Sequence, residues 1–582
     1  MKPELLAPAG SAEALLAAIR CGADAVYLGG GAFNARAGAQ NFSRDALEDA
    51  GQLCKTHGVK LYFTLNTLLS DRELPQALDL AGEAVRAGAD AVIVQDLGLL
   101  RLLHGAWPDL PLHASTQCST QTAGGMALLK ELGASRCIVP RECSKEELEA
   151  LVENATLELE AFVHGALCMS VSGQCLLSFA LGGRSGNRGT CAQPCRLPWG
   201  EGYALSLKDL SLLDEVNKPP LNRMSALKIE GRLKRPEYVA AAVTAFRHAL
   251  DGTASPVSGE DLRSTFSRSG FTRGYYEGRR GAEMFGTRRK EDIAPPETLR
   301  RMAALYEKET TLPPQSLRDS SPRGEPLAAP TTLPLPTEGV VKGDVLRFLS
   351  HEQIPGHVPD NAQIFLPCDT PPELIKKHHA QVTIPAGVFG DYEKILVQLR
   401  RAREAGASLA MAQTLDGIAL AREAGLAPVA GEGMNVLNSA SLEALQGIGC
   451  AGAVLSAEMN AAQARDLRAH IPFGAMVYGR LALMLCRNCP VKARMGCKAC
   501  NNRKSLIDRK GIAFPVRCEG SCARVYNSRP LWLADVQGKL PPLGFRLFSF
   551  TIESREECAK ILRAYQNGAA CKGEFTRGWI KS

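Results

Sequence analysis

No apolar run in this 582-residue chain approaches the roughly 20 residues that a membrane span needs. The amino terminus, MKPELLAPAGSAEALL, has no apolar core of the kind a secretory signal carries. Both absences lead to the expectation of a cytoplasmic protein. In that reducing compartment 19 cysteines are poorly explained as a disulfide framework, and clustered ones point to metal or catalysis. Scattered ones such as Cys21, Cys54 and Cys558 fit as small buried apolar residues. Familiar catalytic signatures are missing too: there is no HExxH, no GxSxG, and no GxGxxG at the first turn. Gly29-Gly30-Gly31 is too little to support a dinucleotide-binding loop.

Net charge is only +7, but it is unevenly spread. From Cys486 to Arg529 there are eleven Lys/Arg against two acids, Asp508 and Glu519. From Leu221 to Arg301 there are sixteen against ten. Local excess of this kind suits a polyanion, although a solvated basic surface explains it as simply. Where the excess coincides with a cysteine cluster, a nucleic-acid partner is the better reading.

What the first 165 residues do have is rhythm. Short β-type runs cover 4–10, 24–30, 59–67, 90–96, 110–116, 135–140 and 157–165. Between them lie segments of helical spacing such as SAEALLAAIRCG and ALLKELG. ALKIEGR at 226–232 supplies an eighth run. Strands alternating with helices mean a parallel sheet, and eight of them mean an α/β fold of the (β/α)8, TIM-like barrel type. An open doubly wound sheet is the competitor.

In such barrels, active sites sit at the C-terminal ends of the strands. Those ends would deliver Asn34, Arg36, Asn66, Gln95, Asp96, Ser115, Gln117, Arg141, Glu142, His164, Glu230 and Arg232. Each alone is more often a helix cap or loop hydrogen-bonder than a catalytic group. Together they describe a polar, arginine-bearing mouth, with Arg36, Asn66, Arg141, His164, Glu230 and Arg232 as the catalytic candidates.

Residues 311–338 are rich in Pro and Ser and read as a linker between a domain at 1–310 and another at 339–582. The second domain repeats the first. FVHGALCMSVSGQC (162–175) aligns without a gap on MVYGRLALMLCRNC (476–489). ALLKELGASRCIVPRE (127–142) resembles EALQGIGCAGAVLSAE (443–458), YALSLKDL (203–210) resembles RPLWLADV (529–536), and FTRGY (271–275) returns as FTRGW (575–579). The preserved order implies an internal duplication, with the second copy a degenerate, partial barrel containing a cysteine-rich basic module at 484–530.

The cysteines form two groups. Cys168, Cys175, Cys191 and Cys195 are spaced C-x6-C-x15-C-x3-C around the glycine-rich GGRSGNRG. Structural zinc sites use tight C-x2-C knuckles, so the looser loop suits a [4Fe–4S] cluster, with zinc or no ligand as alternatives. Cys486, Cys489, Cys497 and Cys500 are spaced C-x2-C-x7-C-x2-C, with Cys518 and Cys522 beyond. There zinc and a second cluster are equally good readings.

LLAPAGS, DAVYLGG, FNARA, HGALCMSVSGQC, GNRGTCAQPCR and KIEGRLKRPEYV resemble the collagenase-like peptidase family U32 over roughly residues 1–290. The second half, with RNCP, DRKGIAFPVRC and YNSRPL, is similar to the extension of longer members, those of the ribosomal-RNA cytidine hydroxylation group. The family name implies proteolysis. The better-understood relatives imply oxygen-independent hydroxylation of a tRNA uridine, an rRNA cytidine or a ubiquinone precursor. They also imply a [4Fe–4S] cluster on Cys168, Cys175, Cys191 and Cys195, prephenate as a co-substrate, and an electron donor protein as partner. Ala482 stands where the second copy would match Cys168, which argues against a second cluster of the same type.

Three functions are therefore weighed: cluster-dependent hydroxylation of an RNA base, proteolysis, and non-catalytic binding of RNA or the ribosome. Proteolysis needs a nucleophile with a base. Ser172 and Ser185 lie near His164 in sequence, but sequence nearness is not a triad, and a cluster-bound cysteine cannot also be a free nucleophile.

Overall fold

The structure, a computed structural model, describes residues 2–200, 202–307, 340–500 and 504–578. The linker expected at 311–338 lies outside the described residues. All eight β runs of the first domain are strands: β1 (Glu4–Pro8), β2 (Ala25–Leu28), β3 (Lys60–Leu65), β4 (Ala91–Val94), β5 (Leu112–Ala114), β6 (Arg136–Ile138), β7 (Glu158–Ala166) and, after the detour β8 (Asp209–Ser211), β9 (Ala226–Ile229). Neighbours pair in parallel from β1 to β7, and β9 pairs with both β7 and β1, closing the barrel. Helices cover the outside and side chains fill the inside. Strands buried on both faces read as the near-continuous apolar runs seen in the sequence.

The turns explain the repeated CGAD and AGAD. Gly22 and Gly88 take φ of +93° and +90°, which a residue with a Cβ rarely adopts. The aspartates that follow accept the first N–H groups of neighbouring strands, Asp24 from Leu5 at 2.8 Å and Asp90 from Leu61 at 2.7 Å. On the other side, Ser11, Ser43, Asp96, Thr122 and Ser144 cap the helices that leave the barrel mouth.

The chain continues through β10 (Phe271–Thr272) into a second barrel. Its strands are β11 (Gly343–Phe348), β12 (Ala362–Pro367), β13 (Gln381–Thr383), β14 (Leu409–Ala412), β15 (Ala427–Ala430), β16 (Gly452–Val454) and β17 (Phe473–Gly479). An insertion follows, with β18 (Ala482–Cys486), β19 (Ser505–Ile507), β20 (Ala513–Glu519) and β21 (Cys522–Tyr526) in one antiparallel sheet. After β22 (Leu531–Trp532), β23 (Phe545–Phe550) pairs with both β17 and β11 and closes eight parallel strands. The second copy is thus a complete barrel, not the partial one expected. Strands of three residues, such as β13 and β16, are too short to stand out as apolar runs.

The duplication holds in detail. β7 and β17 each carry a register shift, between Phe162 and His164 and between Met476 and Tyr478. Gly165 and Gly479, at φ +104° and +133°, let the eighth strand's carbonyls at Glu230 and Ser549 approach. Thr272 lies against Leu210 and Thr576 against Leu531, so both FTRG motifs do the same job. Only the match of 203–210 with 529–536 is out of register. Leu210 faces Gly165 while Leu531, not Val536, faces Gly479.

The two barrels pack about a pseudo-twofold axis. Helix Leu97–Ala106 of the first lies on helix Ser439–Gly447 of the second, and helix Ala123–Glu131 lies on Leu415–Glu423. Each copy buries one aspartate at the other's helix cap. Asp96 accepts from Asn438 Nδ2 at 2.8 Å and Ser441 Oγ at 3.1 Å. Asp416 accepts from the Gln121 and Thr122 N–H groups and the Thr122 hydroxyl. On the axis, Val171 donates its N–H to the carbonyl of Leu485, its own equivalent, at 2.8 Å. Among the described residues no helix is long and apolar enough to cross a membrane.

Candidate active site and cysteine clusters

The mouth of the first barrel is organised by Glu230, which leaves β9. Arg36 Nη2 meets its carboxylate at 3.0 Å. Burial opposes the charge, but Arg36 first, then Lys234 and Arg141, hold the carboxyl down at about 2. Burial brings the Lys234 ammonium to about 7, and it lies over the Phe266 ring. Arg141 covers the Phe162 ring at 3.7 Å and donates from Nη1 to Ser172 Oγ at 3.1 Å, while its buried Nε has no hydrogen-bond partner among the described residues. Three cations around one carboxylate leave this mouth short of negative charge.

Amides line the next part of the wall. Asn66 accepts the Ala35 N–H at 3.0 Å and donates to Gln117, which donates in turn to Gln95. The outer hydrogens of this relay end on Gln95 Nε2, buried and without a partner among the described residues.

Two candidates play other parts. Arg232 is buried and spends its guanidinium on Thr64, Asn34 and Asn41, so it pins the loop that carries Arg36 instead of facing a ligand. His164 stands apart from the mouth. The register shift in β7 breaks the period of two, so Phe162 meets Arg141 and Lys228 while His164 turns outward. Its ring packs against Tyr238, Phe246 and Phe271, both ring nitrogens lack hydrogen-bond partners among the described residues, and burial, partly offset by the charge of Glu230, lowers its pKa to about 4. Lys234 was missed in the sequence, although it lies inside the quoted KIEGRLKRPEYV. So was Arg196, the residue after Cys195, whose charge lies beside Cys195 and Cys168.

The first cysteine group converges on this mouth. Cys168 and Cys191 are exposed, Cys175 and Cys195 half-buried. Burial first, and then the charges of Cys168 and Cys191, push Cys175 and Cys195 up, Cys195 to about 11 despite the Arg196 charge beside it, and Cys195 raises Cys175 further. Arg36 lies near Cys168 and Arg196 near both Cys168 and Cys195, so two cations offset thiolate charge there. The donor set is four sulfurs, as an iron–sulfur cluster requires.

The second group sorts differently from its spacing. Cys489 and Cys518 each feel Cys497 and Cys500. Cys486 is buried in the core, and Cys522 packs its sulfur against Gly387. Among the described residues no three Cys, His, Asp or Glu side chains are drawn together in metal-ligand geometry, in either group. Beside the second group the mouth of the second barrel opens into a cavity of about 1140 Å³, lined by Arg347, Gln413, Cys518, Arg524, Tyr526 and Glu553 among others.

Each barrel's insertion reaches over the other barrel. Asn187, between Cys175 and Cys191, donates to Glu458 at 3.1 Å. Arg487 reaches the carbonyl of Glu142, the equivalent of Glu458, and ion-pairs with Glu147. Burial raises the Glu142 carboxyl to about 7.

The family model for peptidase family U32 matches residues 10–286, which run from just after β1 through the rest of the first barrel with its cysteine group. A 23S rRNA 5-hydroxycytidine C2501 synthase of Escherichia coli (strain K12) is 39% identical over 259 residues, 43% of this chain and 39% of that protein. A tRNA hydroxylation protein P1 of Bacillus subtilis (strain 168) is 32% identical over 317 residues, 50% of this chain and 75% of that protein. A solved U32 peptidase structure is 15% identical, with a TM-score of 0.28, over 40% of this chain and 94% of that one.

Proposed function

This chain belongs to peptidase family U32, and on that premise we propose that it is an enzyme hydroxylating a base of RNA, an rRNA cytidine ahead of a tRNA uridine. The observation that carries the reading is a coincidence of position. The stretch that the family model matches, residues 10–286, contains both the four thiols and the cationic mouth they border, and the relatives similar to this chain include an rRNA cytidine hydroxylation enzyme and a tRNA hydroxylation protein.

In this reading Cys168, Cys175, Cys191 and Cys195 hold a [4Fe–4S] cluster. Such a cluster supplies electron transfer or, with one iron open, a Lewis acid. Arg36 and Arg141 bind the carboxylates of a small dicarboxylate such as prephenate, since guanidinium forks match carboxylate geometry. Glu230 orients Arg36 and keeps the fork from collapsing onto the thiols. Arg232 fixes the wall, and the Asn66–Gln117–Gln95 amides offer donors and acceptors to an uncharged polar edge such as a base. The exposed cations of the insertion, Lys504, Arg509 and Lys510 among them, meet RNA phosphates. An electron donor protein completes the partners.

Proteolysis, the family's name notwithstanding, draws no support from this geometry. Among the described residues neither His113 nor His164 hydrogen-bonds a serine hydroxyl or a cysteine thiol. A purely RNA-binding role leaves the thiols beside Arg36 without a use.

The test is anaerobic incubation of the iron-loaded protein with unmodified rRNA, prephenate and a reductant, followed by nucleoside mass spectrometry. A cytidine gaining one oxygen atom is expected, and no modified base in either rRNA or tRNA sinks the proposal. Titration calorimetry with prephenate separates the pocket from the reaction. Arg36→Lys keeps the charge but loses the fork, and should weaken binding by about 1–3 kcal/mol. Unchanged binding by the variant would make Arg36 structural.

A further inference from the structure

The second barrel repeats the arrangement of the first with different residues. Cys489 is the equivalent of Cys175, on the segment that follows the seventh strand. Its sulfur accepts the N–H of Lys492 at 3.5 Å, at the start of helix Lys492–Cys500. That helix is broken at Gly496, whose φ of +74° turns the chain so that Cys497 and Cys500 follow the break as a C-x2-C pair. Cys518 lies on β20, in the wall of the second barrel's cavity. Cys497 and Cys518 are exposed, Cys489 and Cys500 half-buried, the same two-and-two pattern as in the first group. The other two cysteines are set apart, Cys486 by burial and Cys522 by the sheet. Cys486 and Cys518 both lie opposite Ala523, on either side of β21, but Cys486 is at 0% exposure and Cys518 is open to solvent. Cys522 pairs with Glu519 and so points to the opposite face.

We propose that Cys489, Cys497, Cys500 and Cys518 hold a thiolate-bound metal centre at the lip of the second barrel's mouth, and that Cys486 and Cys522 are core residues that take no part. Cys489 and Cys518 each lie within electrostatic reach of Cys497 and Cys500, and four thiols are the donor set of either a tetrahedral zinc or an iron–sulfur cluster. Arg517 lies beside Cys518 and offsets thiolate charge there, and Lys492, Arg494 and Lys498 are exposed on the segment that carries Cys497 and Cys500. The assignment stands independently of the RNA reading, because it makes no use of the first barrel's chemistry.

The experiment uses the full chain, purified anaerobically. Iodoacetamide is applied before and after a strong chelator, and the alkylated cysteines are mapped by mass spectrometry. Cys489, Cys497, Cys500 and Cys518 should be protected together and released together, although two of them are exposed. Rapid labelling of Cys497 and Cys518 before chelation overturns the proposal. Metal and sulfide analysis of a Cys489→Ser/Cys518→Ser variant then identifies the metal. Loss of zinc alone indicates a zinc site; loss of about half the iron and sulfide, on the scale of one of two clusters, indicates a second cluster. A Cys486→Ala variant should keep the full metal content, and a loss equal to that of the double variant would also overturn the assignment. Should the double variant fail to fold, the alkylation pattern of the wild-type protein decides alone.

Discussion

The two barrels share a frame and differ at their mouths. Both anchor an arginine on a carboxylate that it holds down at about 2, Arg36 on Glu230 in the first and Arg347 on Glu432 in the second. The pairs are not equivalent. Ser549 occupies the place of Glu230 and itself accepts from Arg347, which rises from β11. The ion pair has therefore been rebuilt from other strands, whereas the bulge, the positive-φ glycine and the FTRG contact have stayed in place. Backbone geometry is fixed by closure of the barrel; mouth side chains are free to diverge as long as a buried charge keeps a partner. The first mouth holds its thiols beside Arg36, and the second spaces its own differently and opens into a large cavity.

The sharpest way to break the comparison is to remove one set of thiols at a time. Cys191→Ala/Cys195→Ala should abolish the brown colour, the broad absorption near about 400 nm and the hydroxylation, while the second group keeps its metal. Full iron and sulfide in that variant would show that the first group is not the cluster site.

Next in size is the interface that makes the barrels one unit. Asp96 is buried and also accepts the N–H groups of Leu69 and Leu99. Asp96→Ala would leave Asn438, Ser441 and two backbone donors without their acceptor. A loss of about 3–5 kcal/mol is expected. Urea unfolding should then separate into two transitions, one for each barrel. A single transition with an unchanged midpoint would mean that the barrels are held together elsewhere.

Much of this frame was legible in the sequence. Each strand of the first barrel is an apolar run ended by a small or polar residue, and the GAD turns mark where strands begin. Two kinds of information were not legible. One is closure of the second barrel, because three-residue strands such as β16 give no periodic signal. The other is the direction of side chains near irregularities. His164 ends an apolar run just as a mouth residue would, but one shifted register in β7 sends it to the helix layer. Spacing along the chain is equally blind to which cysteines the sheet buries. Cys486 and Cys489 look like a knuckle, yet β18 carries the first into the core before the chain turns.

The basic insertion belongs to the second barrel alone, and a charge reversal there sharpens the contrast without touching either mouth. Lys504, Arg509 and Lys510 are exposed around the β19–β20 hairpin. Changing all three to Glu should weaken RNA binding by about ten-fold or more and flatten its salt dependence, since fewer counterions are released. Metal content should not move. Affinity indifferent to both salt and the reversals would remove the RNA-binding role of this hairpin.

The smallest effect on activity is expected at His164, where the barrels offer their own control. The equivalent residue in the second barrel is Tyr478, so an aromatic ring is what the position requires. Burial holds the folded-state pKa of His164 at about 4, below the ordinary 6.5. The unfolded chain therefore binds a proton that the folded chain refuses. Stability from this group is complete above pH 6.5 and is lost as the pH falls toward 4, by about 3 kcal/mol in full. His164→Phe keeps the packing against Tyr238, Phe246 and Phe271 and removes the proton. Hydroxylation at neutral pH should stay within about two-fold of wild type, a difference of only about 0.4 kcal/mol. Thermal melts between pH 7 and pH 4 should show a shallower decline than those of the wild-type protein. A folded His164→Phe protein with wild-type acid sensitivity would show that the ring does not titrate as its burial requires. A folded variant with no hydroxylation would return His164 to the reaction.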